Sequence, residues 1–131
     1  MNDANITQLL EKIAFNADGL VPVIAQKDGT NEVLMMAWMS REAFIETMRT
    51  KQMTYWSRSR KSLWRKGESS GNTQRLKEMR IDCDGDTILL LVDQEGVACH
   101  TGRRACFYRA VRDGELIEIA EPLIDPEKLY G

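Results

Sequence analysis

Apolar positions recur along this chain with two different periods. Near the start, Leu9, Leu10, Ile13 and Ala14 follow helical spacing behind Asn5 and Thr7, which predicts an N-terminal helix. Val21–Gln26 and Glu32–Trp38 then read as strands on either side of the turn Lys27-Asp28-Gly29-Thr30-Asn31. Ser40 is placed to cap a helix over Arg41–Arg49, with Glu42 in its first turn and Ala43, Phe44 and Met48 on its buried side. From Met53 onward the pattern is mostly β, with strands over Thr54–Ser57, Gln74–Ile81, Thr87–Val92 and Cys106–Val111. Asp113-Gly114 joins the last of these to Glu115–Ile119 as a hairpin, and Asp125-Pro126 opens a short final helical turn. The sequence contains no repeat, low-complexity tract or linker. These elements predict an α+β fold: a strongly bent, mainly antiparallel, pseudo-barrel-like sheet with a few short helices, as one domain over residues 1–131.

Composition narrows the class. A chain of 131 residues that is 43% hydrophobic and 29% charged builds its own core without staples. Its formal net charge of -2 argues against a dedicated nucleic-acid binder, which is usually basic. The longest apolar run, Ile88–Val92, is too short to cross a bilayer, and Met1–Phe15 has no signal-peptide pattern. A cytoplasmic location with no membrane partner is therefore expected. There the three cysteines are buried thiols, metal ligands or a nucleophile rather than disulfides.

Three clusters carry candidate chemistry. In Asp82-Cys83-Asp84-Gly85-Asp86, three carboxylates at alternating positions point one way if the segment is extended. That much negative charge calls for a hard cation, Mg²⁺ or Ca²⁺; the plain alternative is an acidic turn between strands. An EF-hand fails, because its sixth position is Thr87 and its twelfth is Asp93. The second cluster is Cys83, Cys99 and Cys106. No Cys-x-x-Cys pair exists, so spacing alone leaves a catalytic zinc or three unrelated core thiols. His100, the single histidine, follows Cys99 and suits acid/base work or a structural hydrogen bond. Because neighbours in a regular strand face opposite sides, the backbone is expected to bend there. The third cluster runs from Trp56 to Gly71. Arg58, Arg60, Lys61, Arg65 and Lys66 occur in it with no acid between residues 58 and 66. If extended, Trp56, Arg58, Arg60, Trp64 and Lys66 share one face, where rings stack on a base and cations hold phosphate.

Together and in order, these motifs resemble phosphoribosyl-AMP cyclohydrolase. They are Trp56-Ser57-Arg58-Ser59-Arg60, Leu63-Trp64-x-Lys66-Gly67-Glu68-Ser69-Ser70-Gly71, Asp82-Cys83-Asp84-x-Asp86, and Ala98-Cys99-His100-Thr101-Gly102 with Cys106-Phe107. Leu34–Met39 resembles the family's upstream segment. The resemblance implies the monofunctional form, an intertwined homodimer in which water opens the N1–C6 bond of the substrate adenine, the third step of histidine biosynthesis. It implies one zinc per chain on Cys83, Cys99 and Cys106, with ligands drawn from both chains, and Mg²⁺ on Asp82, Asp84 and Asp86. His100 is then the candidate proton carrier. Trp56, Arg58, Arg60, Trp64, Lys66, Glu68, Ser69, Ser70 and Gly71 are the candidate nucleotide contacts. Two rival readings remain at this point. A zinc deaminase would need His-x-Glu followed by Pro-Cys-x-x-Cys, which is absent. A single-strand nucleic-acid-binding module with a structural zinc would use the Trp/Arg run.

Overall fold

Ser40 ends one element and starts the next. In this computed structural model, which describes residues 2–128, strand β2 (Val33–Ser40) runs directly into helix α2 (Arg41–Thr50). The Ser40 hydroxyl accepts from the Ala43 N–H at 3.1 Å, Glu42 lies in the first turn and Arg49 in the last. A cap of this kind contributes about 1 kcal/mol, and the end charges favour the same direction of the helix dipole. Ala43, Phe44, Thr47 and Met48 form the buried face, on the side expected from their spacing.

The remaining elements are α1 (Asp3–Leu10), β1 (Leu20–Lys27), β3 (Thr54–Ser57), β4 (Ser62–Arg65), β5 (Gln74–Ile81), β6 (Ile88–Gln94), β7 (Arg109–Arg112), β8 (Glu115–Glu118) and a 3₁₀ turn at Pro126–Lys128. The main sheet has the order β2-β1-β6-β5. Its β1–β2 and β5–β6 pairs are antiparallel and its β1–β6 pair is parallel. Bulges between Ala25 and Gln26 and between Leu76 and Glu78 bend it. β3–β4 and β7–β8 are separate two-stranded ribbons. The fold is α+β with bent sheets, as expected; the sheets do not close into a barrel. β6 is central, so both its faces are covered and Ile88, Leu90, Leu91 and Val92 are all buried.

Three expectations need correction. The N-terminal helix stops at Leu10 instead of continuing through Ala14. Beyond it, the Ala14 N–H donates to the Gly85 carbonyl at 2.8 Å. A Cβ on Gly85 would meet the Lys12 carbonyl oxygen at 2.4 Å, so the N-terminal segment packs on the acidic turn through a glycine. The strand expected from Cys106 begins only at Arg109. Cys106 instead donates its N–H to Leu34 O of β2, at 2.6 Å. Finally, Trp56–Lys66 is not one extended face. It folds back as the β3–β4 hairpin, with Trp56 opposite Leu63 and Tyr55 opposite Trp64.

Candidate active site

The β3–β4 hairpin, the outward side of β2 and the Gly/Ser loop enclose a cleft of about 490 Å³. β2 supplies Met36, Ala37 and Trp38, and the hairpin supplies Trp56, Ser57, Arg60, Leu63 and Trp64. Arg65 to Ser70 close one side, and His100 reaches the cleft from the cysteine loop. Aromatic walls with a few polar groups suit a planar heterocycle with anionic substituents. The Tyr55 ring backs Trp64 at a centroid distance of 5.5 Å. Tyr55 is itself fully buried and donates its hydroxyl to Gln74.

The cations of the basic run take different roles. Arg65 is held by Glu46 through two bonds of 2.8 and 2.7 Å, and the first of these influences, its hydrogen bonding, holds the Glu46 carboxyl below its ordinary range. Lys66 is only 7% exposed, and its Nζ donates to the carbonyls of Asn72 and Val97. Burial lowers its pKa, and the neighbouring Cys106 and Cys99 thiols pull it back up. The Arg58 guanidinium lies over the Trp38 ring at 4.7 Å. Among the described residues, Arg60 lines the cleft with its guanidinium in no ion pair. A continuous basic stripe for a nucleic-acid strand is therefore not formed.

Cys99 and His100 lie in a tight turn, where the Gly102 N–H donates to the Cys99 carbonyl at 3.0 Å. The bend anticipated for this dipeptide is present: Cys99 is buried and His100 exposed. Cys106 lies near enough to Cys99 for the two thiols to influence each other's ionisation. Burial first, then Cys99, pushes the Cys106 thiol up to about 12, against the pull of Lys66. Thr101 Oγ1 donates to Cys99 Sγ at 3.0 Å.

Cys83 is elsewhere. It is exposed in the acidic turn before β6, whereas Cys99 and Cys106 follow that strand. The seven residues of β6 put roughly 20 Å between the two ends. Among the described residues, the groups that converge on one point are Asp82, Asp84 and Asp86, whose oxygens lie within 4.8 Å of one another. They do so in a turn rather than along an extended strand. Asp82 Oδ1 accepts from the N–H groups of Asp86 and Thr87, at 3.0 and 3.3 Å. Hydrogen bonding with Asp84 and then Asp82 holds the Asp86 carboxyl above its ordinary range.

Comparison with known proteins decides the family. The family model for phosphoribosyl-AMP cyclohydrolase matches residues 35–108, which run from β2 through the cleft to the cysteine loop. The chain is 60% identical to the phosphoribosyl-AMP cyclohydrolase of Rhodospirillum centenum over 131 residues, covering 100% of this chain and 98% of that protein. It is 61% identical to the enzyme so named from Rhodospirillum rubrum over 129 residues, 98% of this chain and 90% of that protein. A third, from Paramagnetospirillum magneticum, is 60% identical over 130 residues, 99% of this chain and 98% of that protein.

The chain belongs to the phosphoribosyl-AMP cyclohydrolase family.

It is thus an enzyme, a hydrolase, and the cyclohydrolase cleft gathers most of the expected nucleotide contacts. Trp56, Arg60, Trp64, Lys66, Glu68, Ser69, Ser70 and His100 all line it, while Arg58 and Gly71 lie outside its lining. Reading the sequence gave no role to Met36, Ala37 or Trp38. A signal was present: β2 is apolar on both of its faces, and a strand with one solvated face would alternate. No helix among the described residues is long and apolar enough to cross a membrane.

Proposed function

We propose that this cyclohydrolase opens the adenine ring of phosphoribosyl-AMP at the N1–C6 bond, giving the formimino-carboxamide ribonucleotide, as the third step of histidine biosynthesis in the cytoplasm. The observation that carries the reading is the placement of His100 on an aromatic cleft of about 490 Å³, next in sequence to the buried Cys99 thiol. N1 substitution makes the adenine cationic, so C6 is already electrophilic. The water oxygen joins C6, the C6–N1 electron pair passes to N1, and a proton moves from that oxygen to the ring nitrogen. His100 carries this proton. Trp56 and Trp64 stack on the base, and Arg60 and the Ser69-Ser70 backbone hold the phosphates.

The donor set fits zinc. Thiolates suit it, and three protein ligands leave one position open for water. On this reading Cys99 and Cys106 come from one chain, and Cys83, at the other end of β6, comes from a second copy in a homodimer. The three thiolates would hold zinc, which would supply a water acidified to a pKa of about 7. Asp82, Asp84 and Asp86 are hard oxygen donors suited to Mg²⁺.

Two measurements test this reading. Purified protein should change the absorbance of phosphoribosyl-AMP, lose that activity on chelation and regain it with zinc; full metal content with an unchanged spectrum would refute the assignment. Asp84→Asn should weaken Mg²⁺ binding and activity, retain zinc, and recover part of its rate in excess Mg²⁺. Unaltered Mg²⁺ dependence would reduce the turn to a merely acidic one.

A further inference from the structure

The cleft loop and the cysteine loop meet at one peptide. Lys66 and Asn72 flank the Gly/Ser loop, and each holds a different backbone group of Val97. Lys66 Nζ donates to the Val97 carbonyl at 3.4 Å, and the Val97 N–H donates to Asn72 Oδ1 at 3.2 Å. Lys66 Nζ also donates to the backbone carbonyl of Asn72 at 3.2 Å, which ties the two residues to each other. Both side chains are 7% exposed and Val97 is 3% exposed, so water does not readily replace these bonds. The backbone is shaped for the contact. A Cβ on Gly96 would stand 1.9 Å from Asn72 Oδ1, so the carboxamide takes the place of a side chain there.

We propose that Lys66 and Asn72 are positioning residues that lock the cleft loop to the cysteine loop through the Val97 peptide. Val97 lies two residues before Cys99 and three before His100. On the other side, Glu68, Ser69 and Ser70 line the cleft between the two flanking residues. The clamp therefore fixes the distance from the nucleotide-holding wall to the proton carrier. Two of the three Lys66 N–H donors are spent on backbone carbonyls inside the protein, so its contribution to the reaction is chiefly this geometry. Displacement of reacting groups by about 1 Å costs on the order of 10²-fold in rate, which sets the scale of the effect.

The test uses Lys66→Met, Asn72→Leu, their combination, and Asn72→Asp, which keeps an acceptor for the Val97 N–H. Each is assayed for kcat, KM, melting temperature and the hydrogen-exchange rate of the Val97 amide. Each of the first two should lower kcat by at least about tenfold and speed Val97 exchange, and the double variant should be no more than about threefold worse than the poorer single, as for groups acting as a unit. Asn72→Asp should stay within about threefold of the wild-type rate. Where Asn72→Leu does not fold, Asn72→Ala carries the same measurement, since it removes the acceptor without crowding. Lys66→Met that raises KM alone and leaves Val97 exchange unchanged would make Lys66 a phosphate ligand and overturn the proposal. Multiplying effects in the double variant would overturn it too. The inference rests on the cleft reading above, but the exchange rate needs no substrate, so its failure is separable from a failure of that reading.

Discussion

Alanine at Cys83, Cys99 or Cys106 is expected to remove zinc and nearly all turnover. The loss should exceed the 10–100-fold typical of losing an outer-shell partner, because in the proposed site each thiolate is a third of the protein ligand set. The three variants should differ in one respect. Cys99 is buried and Cys106 half-buried, both after β6, whereas Cys83 is exposed at the other end of that strand. A Cys83→Ala chain therefore keeps an intact thiol pair, and a Cys99→Ala chain keeps an intact Cys83. A dimer mixed from those two chains should rebuild one complete site out of two and recover activity that neither parent has. The measurement is zinc content and ring-opening rate after subunit exchange of the two folded variants. Exchanged dimers that stay inactive would show that the thiolates are not drawn from both chains. Full zinc and normal turnover in any single variant would make that cysteine a core thiol.

His100→Ala is expected to lower kcat by about 10²–10⁴-fold, the usual range for losing a general acid or base. Zinc content, substrate affinity and melting temperature should change little. The structural reason is that His100 is exposed on the cleft and takes part in no hydrogen bond among the described residues, so its removal opens no cavity and strands no buried partner. A packing histidine would behave otherwise, with stability or metal content falling in proportion to the rate. One preparation assayed for zinc, melting and kcat separates the two. An unchanged kcat would exclude the proton carrier. Zinc lost together with activity would make His100 a support for the metal loop and leave the proton to water or to Glu68, which lines the same cleft.

Where the sequence reading succeeded, the information was local. Ser40 caps α2 because an alcohol three residues before a free N–H reaches it without help from the rest of the protein. The limits of β3 and β5 are those the β pattern predicted, Thr54–Ser57 and Gln74–Ile81. The turn at Asp113-Gly114 likewise lies between β7 and β8, where the sequence placed it. The family, too, was legible before any coordinates, because its motifs are short, contiguous and ordered along the chain.

What the sequence left open was every relation between segments far apart in it. Trp56, Arg58, Arg60, Trp64 and Lys66 share one face only if the segment is extended, and periodicity carries no sign that β4 turns back on β3. Only the paired backbone decides that Trp56 faces Leu63. The sequence reading makes Lys66 a nucleotide contact and gives Arg65 no such role, yet Glu46 takes Arg65 and the carbonyls of Asn72 and Val97 take Lys66. Burial of a charge depends on which acceptors the fold brings to it, and neither partner of Lys66 is distinguishable by spacing. The same holds for the thiols. Composition made three cysteines candidate ligands, but the run of β6 between them decides that one chain unites only two. The sequence by itself determined α2, β3, β5 and the β7–β8 turn, together with the kinds of chemical group available. Tertiary structure decided which of those groups are desolvated, which are paired and which share a cleft, because those properties arise from contacts that local periodicity does not encode.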